Sequence, residues 1–177
     1  RLHLSRASLD AGQPELAFDQ LAPLIKEACN GAANLDALLL AAEAQRARGA
    51  EEHLEKALAI YDSLLTRPDL DYALSNRIHF LKGLALEQLG RPDDAFATYY
   101  SVIDRDVNPA TGGQAATEWK WFYDCGFKCL RLLEEDKRMR AAYEVAKKLA
   151  ATEGPRAKEA SQRARQIQLK HMFWEDE

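Results

Sequence analysis

Three cysteines, four histidines and a few paired carboxylates are the residues of this 177-residue chain whose types could do chemistry. Cys125 and Cys129 stand four apart, a spacing that puts two thiols on one helical face, where they could share a soft metal ion or form a redox pair. Neither chemistry is completed nearby. No His lies close in sequence to fill a zinc site, and two thiols one turn apart along a helix bridge poorly. A buried free Cys behaves as a small hydrophobe, and that is the expectation for both. His3, His53, His79 and His171 are scattered, without an HExxH spacing. Asp93-Asp94 and Glu134-Glu135 fall at turns and helix starts, where negative charge suits the helix dipole. Gly112-Gly113 is a lone pair without the strand and helix that a phosphate-binding loop needs, and no GxSxG occurs. No catalytic residue, cofactor or metal is therefore expected, and the chain is not expected to be an enzyme.

The elements that would position any site are helices. Between Asn76 and Val107, Leu81, Leu84, Ala85 and Leu89 recur three and four apart, as do Ala95, Phe96, Tyr99, Val102 and Ile103. Gly90 suits the left-handed end of the first run and Pro92 the first position of the second, which predicts a helical hairpin. Gly12 and Pro14 repeat that pair in a first hairpin, from Leu2 to Ile25. A second follows a connection over Cys29 to Ala33, with Asn34 as a candidate N-cap and Gly49 at its turn. Three extra residues between Gly49 and Ala57 predict an added turn of helix. Val107 to Gly113 reads as a flexible loop, and Gln114 to Leu133 as a long aromatic helix with Trp119, Trp121, Phe122, Tyr123 and Phe127. Its turn, Glu134 to Arg138, lacks Gly and reads as longer than the others. After Gly154 and Pro155, one narrow stripe of Ala157, Ala160, Ala164, Ile167, His171 and Trp174 predicts a helix with a single buried side.

The offsets between 76 and 107 resemble a tetratricopeptide repeat. That motif has a small residue at position 8, an apolar one at 11, Gly at 15, Ala at 20, an aromatic at 24 and a small apolar residue at 27, in a period of about 34. With Gly83 as position 8, Leu86, Gly90, Ala95, Tyr99 and Val102 fill the others, while His79 and Val107 replace the family's Trp and Pro. The resemblance implies an all-α, right-handed α-solenoid of about four helix-turn-helix repeats near 1–29, 34–68, 72–107 and 114–153, plus a closing helix over 155–174. This single array is expected to be a fragment of a longer protein.

The resemblance also implies a function: binding of a protein or peptide segment in the concave groove. Groove positions of the first two repeats are Leu2, Arg6 and Leu9, then Asp36, Leu39, Glu43 and Arg46. The third repeat gives Arg77, Phe80, Leu84 and Glu87. The fourth, with Gly126 as its position 8, gives Lys120, Tyr123, Phe127 and Leu130, so the second half of the groove is aromatic and apolar. The same register turns Cys125 and Cys129 inward. Of the Lys, Arg and Asn residues with which the family's chaperone-binding branch clamps a peptide carboxylate, only Arg77 has a near counterpart.

Composition narrows the alternatives. Apolar residues at 47% suffice for a core, charged residues at 29% suit a soluble segment, and no apolar run approaches the ~18 residues of a membrane span. An odd number of cysteines gives no disulfide framework, which suits a reducing compartment without excluding a periplasm. The net charge of −4 hides an asymmetry: residues 137–170 carry +7 and the remainder −11. Arg156, Arg163 and Lys170 recur every seven residues, as do Lys158 and Arg165, flanking the last helix's apolar stripe. Nucleic-acid binding there is an outside alternative. Alternatives for the array are a structural spacer or an oligomerisation segment.

Overall fold

The computed structural model describes the backbone of residues 1–28, 35–68, 70–104 and 115–172, with side chains except at 25–28 and 115–118. The expected connection at Cys29 to Ala33, the candidate N-cap Asn34, the expected loop at Val107 to Gly113, and Trp174 lie outside them. Among the described residues the protein is all-α, with nine helices and no strand. They are α1 (Leu2–Asp10), α2 (Pro14–Ala28), α3 (Leu35–Arg48), α4 (Glu51–Leu65), α5 (Tyr72–Gln88), α6 (Pro92–Ile103), α7 (Ala115–Glu135), α8 (Met139–Ala150) and α9 (Ala157–His171). They fall into two compact units. The first holds Arg1–Asp71 and Leu81–Arg91; the second holds Tyr72–Phe80 and Pro92–Glu177.

In the first unit α1 packs on α2 and α3, α2 on α3, and α3 on α4. Leu21, Ala37, Leu40 and Ala41 form a buried cluster that Leu2, Leu9, Phe18 and Leu24 flank. The small residues let α3 approach α1 and α2 closely, so its apolar side is not a stripe: Ala37 and every residue from Leu39 to Gln45 are buried. The three residues inserted after Gly49 do become helix, since α4 starts at Glu51, six residues before the buried Ala57, whereas α6 starts three before Ala95. Arg6 on α1 forks across Glu43 on α3 at 2.9 and 3.3 Å, and this hydrogen bonding raises the guanidinium's pKa. The Glu43 carboxylate is only 8% exposed and takes its charge partner from within the unit.

The hairpin turns show why the sequence folds this way. Gly90 has φ +70°; its N–H donates to the carbonyl of Glu87 and the N–H of Arg91 to that of Leu86, a Schellman end for α5. Gly12, Gln13, Leu9 and Ser8 repeat the pattern after α1. The turn after α7 differs from its expected form. It is three residues long like the other two, and Lys137, at φ +59°, stands where they have Gly. Arg138 N–H reaches Leu133 O at 2.8 Å and Lys137 N–H reaches Glu134 O at 3.1 Å, so the same motif closes without Gly. The left-handed region costs a side-chain-bearing residue about 1–2 kcal/mol, against roughly 0.5–1 kcal/mol of extra chain entropy for Gly. Lys137→Gly is accordingly expected to raise the melting temperature and Arg138→Gly to lower it; a destabilised Lys137→Gly variant would contradict this turn.

In the second unit α7 packs between α6 and α8, and α8 on α9. Gly126 marks the close approach of α7 to α8. A Cβ there would stand 2.7 Å from Leu149 Cδ1 and closer still to Cδ2. Of the α9 stripe, Ala160, Ala164 and Ile167 are buried while Ala157 and His171 are half-buried, and a left-handed Met172 ends the helix.

Candidate functional site

The expected groove residues Leu84 and Glu87 belong to the first unit, where both are half-buried. Arg77 and Phe80 belong to the α5 segment of the second unit, together with Lys120, Tyr123, Phe127 and Leu130 on α7. Here the structure corrects the reading of α7. Tyr123 is 0% and Leu130 2% exposed, so neither presents a surface to a partner. The reason is the turn. Arg77, Phe80, Leu84 and Glu87 precede the left-handed Gly90 by thirteen, ten, six and three residues; the same offsets before Lys137 give Asp124, Phe127, Arg131 and Glu134. These four are half-buried. Anchoring on Gly126 had shifted the helix by four residues, just over one turn.

Tyr123 has a packing role. Its ring lies 5.6 Å from Trp119 and 5.5 Å from Phe122, centroid to centroid. Its Oη is 2.6 Å from Thr152 Oγ1, and the threonine hydroxyl already donates to Leu149 O at 2.7 Å. Each hydroxyl has one proton, so Tyr123 is the donor to Thr152. The contact pins the segment after α8 to α7. Gly154 completes the fit, because a Cβ there would fall 2.6 Å from both Trp119 Cε3 and Tyr123 Oη.

What remains on the surface is a line of rings and cations. Phe80, Trp121 and Phe127 are all half-buried. The rings of Phe80 and Trp121 lie 5.3 Å apart, and Phe80 is backed by the buried Tyr99 at 6.0 Å. Lys120 Nζ sits 3.8 Å and Arg77 Cζ 6.0 Å from the Trp121 centroid, and Arg156 Cζ is 4.1 Å from that of Phe127. Cations over aromatic faces are held there by the ring quadrupole. Asp124 ties the line together, accepting from Lys120 at 2.6 Å and from Arg156 at 3.1 Å. Arg156 also forks across Glu159 at 2.7 and 3.0 Å, and this hydrogen bonding raises the pKa of the guanidinium and lowers that of the carboxyl. Such an arrangement can hold an apolar side chain against the rings and a carboxylate against the cations.

Comparison with family models, with curated proteins and with solved structures returned no match. The surface therefore has to be read from its own chemistry. Trp121, Asp124 and Arg156 were not among the expected groove residues. Trp121 is visible in the sequence as an aromatic but stands at no groove position in either register, and its place follows from its contact with Phe80 on another helix; Arg156 is 32 residues from its partner Asp124, a separation without a local signal.

Two of the three cysteines and one histidine have structural surroundings that can be named. Cys125 and Cys129 are fully buried. Burial pushes the Cys129 thiol up to about 12, and its Sγ lies 3.9 Å from the carbonyl oxygen of Phe96. The thiolate is the nucleophile, so a folded chain is expected to resist alkylation at neutral pH and to react only once unfolded. The shift has a linkage consequence. The folded thiol keeps its proton where the unfolded thiol, at 9.0, loses it, so Cys129 is expected to weaken folding progressively from about pH 9 to about 12. Rapid labelling of native protein at pH 7, or a Cys129→Ala variant with unchanged alkaline stability, would contradict this. Nδ1 of His79 lies 2.8 Å from Ser75 O and, facing an acceptor, carries the proton. Among the described residues no group of three or more His, Cys, Asp or Glu is placed to hold a metal ion, and no helix is long and apolar enough to cross a membrane. In the basic stretch Arg163 pairs with Glu134 on α7, and Lys158, Arg165 and Lys170 are exposed.

Proposed function

We propose that this chain is a non-catalytic protein-binding module built from tetratricopeptide-like hairpins in a right-handed solenoid closed by α9, and that it receives a partner's segment on the Phe80–Trp121–Phe127 face. One observation carries the reading: Phe80 and Trp121 lie ring to ring and half-buried, Phe127 is half-buried on the same helix as Trp121, and Arg77, Lys120 and Arg156 stand over Trp121 and Phe127, with Asp124 accepting from both Lys120 and Arg156. Clustered aromatic and Arg side chains are what binding hot spots are made of. The recurring turn supports the repeat reading, since the left-handed residues Gly12, Gly90 and Lys137 each precede by five a fully buried Ala: Ala17, Ala95 and Ala142.

The ion pairs of Arg156 and Arg163 with α7 carboxylates give the basic stretch a structural use and count against nucleic-acid binding. The test is recovery of a partner by the full chain and its loss in a Trp121→Ser/Phe127→Ser variant of unchanged helicity. Undiminished recovery would leave the structural-spacer reading.

A further inference from the structure

We propose a second docking site: the groove between α6 and α8, taking a three-turn amphipathic helix of a partner protein that lies antiparallel to both and is acidic in its first turn and basic in its last. The groove is a pair of adjoining hollows of about 680 and 340 Å³ that share Phe96 and Leu133. Val145 and Ala141 of α8 face Phe96 and Tyr100 of α6 across the larger one. Phe96 and Tyr100 stack along α6 at 5.5 Å, one turn apart, giving the wall two apolar steps. Small Ala141 opposite leaves room for an incoming side chain.

The orientation follows from the ends. Pro92 and Asp93, which start α6, line one end with Asp136 and Arg138, which precede α8. At the other, Tyr100 lines the groove with Lys147, Lys148 and Ala151, and Lys148 reaches Asp104, just past α6, at 2.7 Å. The two helices therefore run parallel, with both C-termini at the lysine end. A helix entering with its positive N-terminus at that end meets two negative helix ends, and acidic residues of its first turn meet Lys147 and Lys148. At the far end Asp93, Glu135 and Asp136 outnumber Arg138 and suit a basic last turn. The ion pair of Lys148 with Asp104 is solvent-exposed and weak enough to yield to a better-placed carboxylate, while the exposed Lys147 lies 5.3 Å from the centroid of buried Tyr143 and Lys148 5.3 Å from that of Tyr100. The 12 residues of α6 give the groove a length of about 18 Å, hence three turns.

Among the described residues a second copy of the chain offers no such helix. The large apolar side chains most exposed among the described residues are Leu4 on α1, Leu16 on α2, and Leu169 and Met172 at the end of α9, so no described helix offers a free apolar stripe.

The test uses the full chain and a fluorescein-labelled synthetic peptide of about 14 residues, apolar at helical spacing, with Glu in its first turn and Lys in its last. A companion peptide has the two ends exchanged. The first is expected to bind at least about tenfold more tightly than the second, because the exchanged ends would set like charges against each other. Ala141→Arg should fill the groove and abolish binding, and Lys147→Glu/Lys148→Glu should reverse the preference. Trp121→Ser, at a residue outside the lining of this groove, should leave both affinities unchanged and so separates this site from the one proposed above. Equal affinities, binding of neither peptide, binding that survives Ala141→Arg, or self-association of the chain that Ala141→Arg removes would each overturn the proposal.

Discussion

Leu149→Ala is expected to cost about 2–5 kcal/mol, and Gly126→Ala, destabilising in the wild-type chain, is expected to become stabilising in its presence. Leu149 is fully buried on α8, with both Cδ atoms inside the space that a Cβ on Gly126 would occupy. Truncating it removes packing and leaves a cavity that the two helices close only in part. Adding a methyl at Gly126 alone forces Leu149 off its place, an overpacking of about 1–3 kcal/mol, against about 1 kcal/mol that Ala gains over Gly in a helix. With Leu149 shortened, the overpacking vanishes, the propensity gain remains and the methyl fills part of the void. The sign must then reverse. Urea denaturation of the four proteins of the cycle measures it, provided the slopes agree. Additive effects would mean that this contact does not set the distance between α7 and α8.

The same glycine shows how far the sequence could be read. Helix–turn–helix junctions announced by a Gly followed two residues on by a Pro, at Gly12-Pro14 and Gly90-Pro92, appear where the pattern puts them, because each residue does something at its site that few others can. Lys137 does the work of Gly without looking like it. Nothing in a Lys announces a positive φ; what holds it is the packing of α7 on α8 on either side of the turn. Gly126 then offers itself as the small reference residue and the register slides by four, which puts buried Tyr123 and Leu130 on the groove and leaves Asp124 off it, while Trp121 stands at no groove position in either register. A signal was present in Ala142, five residues beyond Lys137, as Ala95 is beyond Gly90. Pairs such as Arg156 with Asp124 and Arg163 with Glu134 join residues 32 and 29 apart and exist only once α9 has packed. Helix periodicity gave the last helix its apolar stripe but not the use of its arginines.

Replacing Trp121 and Phe127 together by Ser is expected to weaken partner binding by more than about 30-fold, since aromatic hot spots are worth 2 kcal/mol or more each. The folded chain should tolerate the change. Both rings are half-buried, and the buried aromatics behind them, Trp119, Phe122 and Tyr123, hold one another and Thr152, so that losing the Phe127 ring stacked on Tyr123 at 6.3 Å leaves most of their contacts in place. Tyr123→Ser makes the opposite case: it removes a fully buried ring and its hydrogen bond, so it should lower the melting temperature sharply and lose binding only as the chain unfolds. Circular dichroism separates the two, since the double variant keeps its helicity and its melting midpoint within a few degrees. Arg77→Glu gives a third arm. It leaves the rings in place, reverses one charge beside Trp121, and should weaken a carboxylate-bearing partner while steepening nothing in the unfolding curve. If the double variant recovers the partner as the wild type does, with Arg77→Glu equally silent, the ring-and-cation face is packing left at a surface and the binding reading fails.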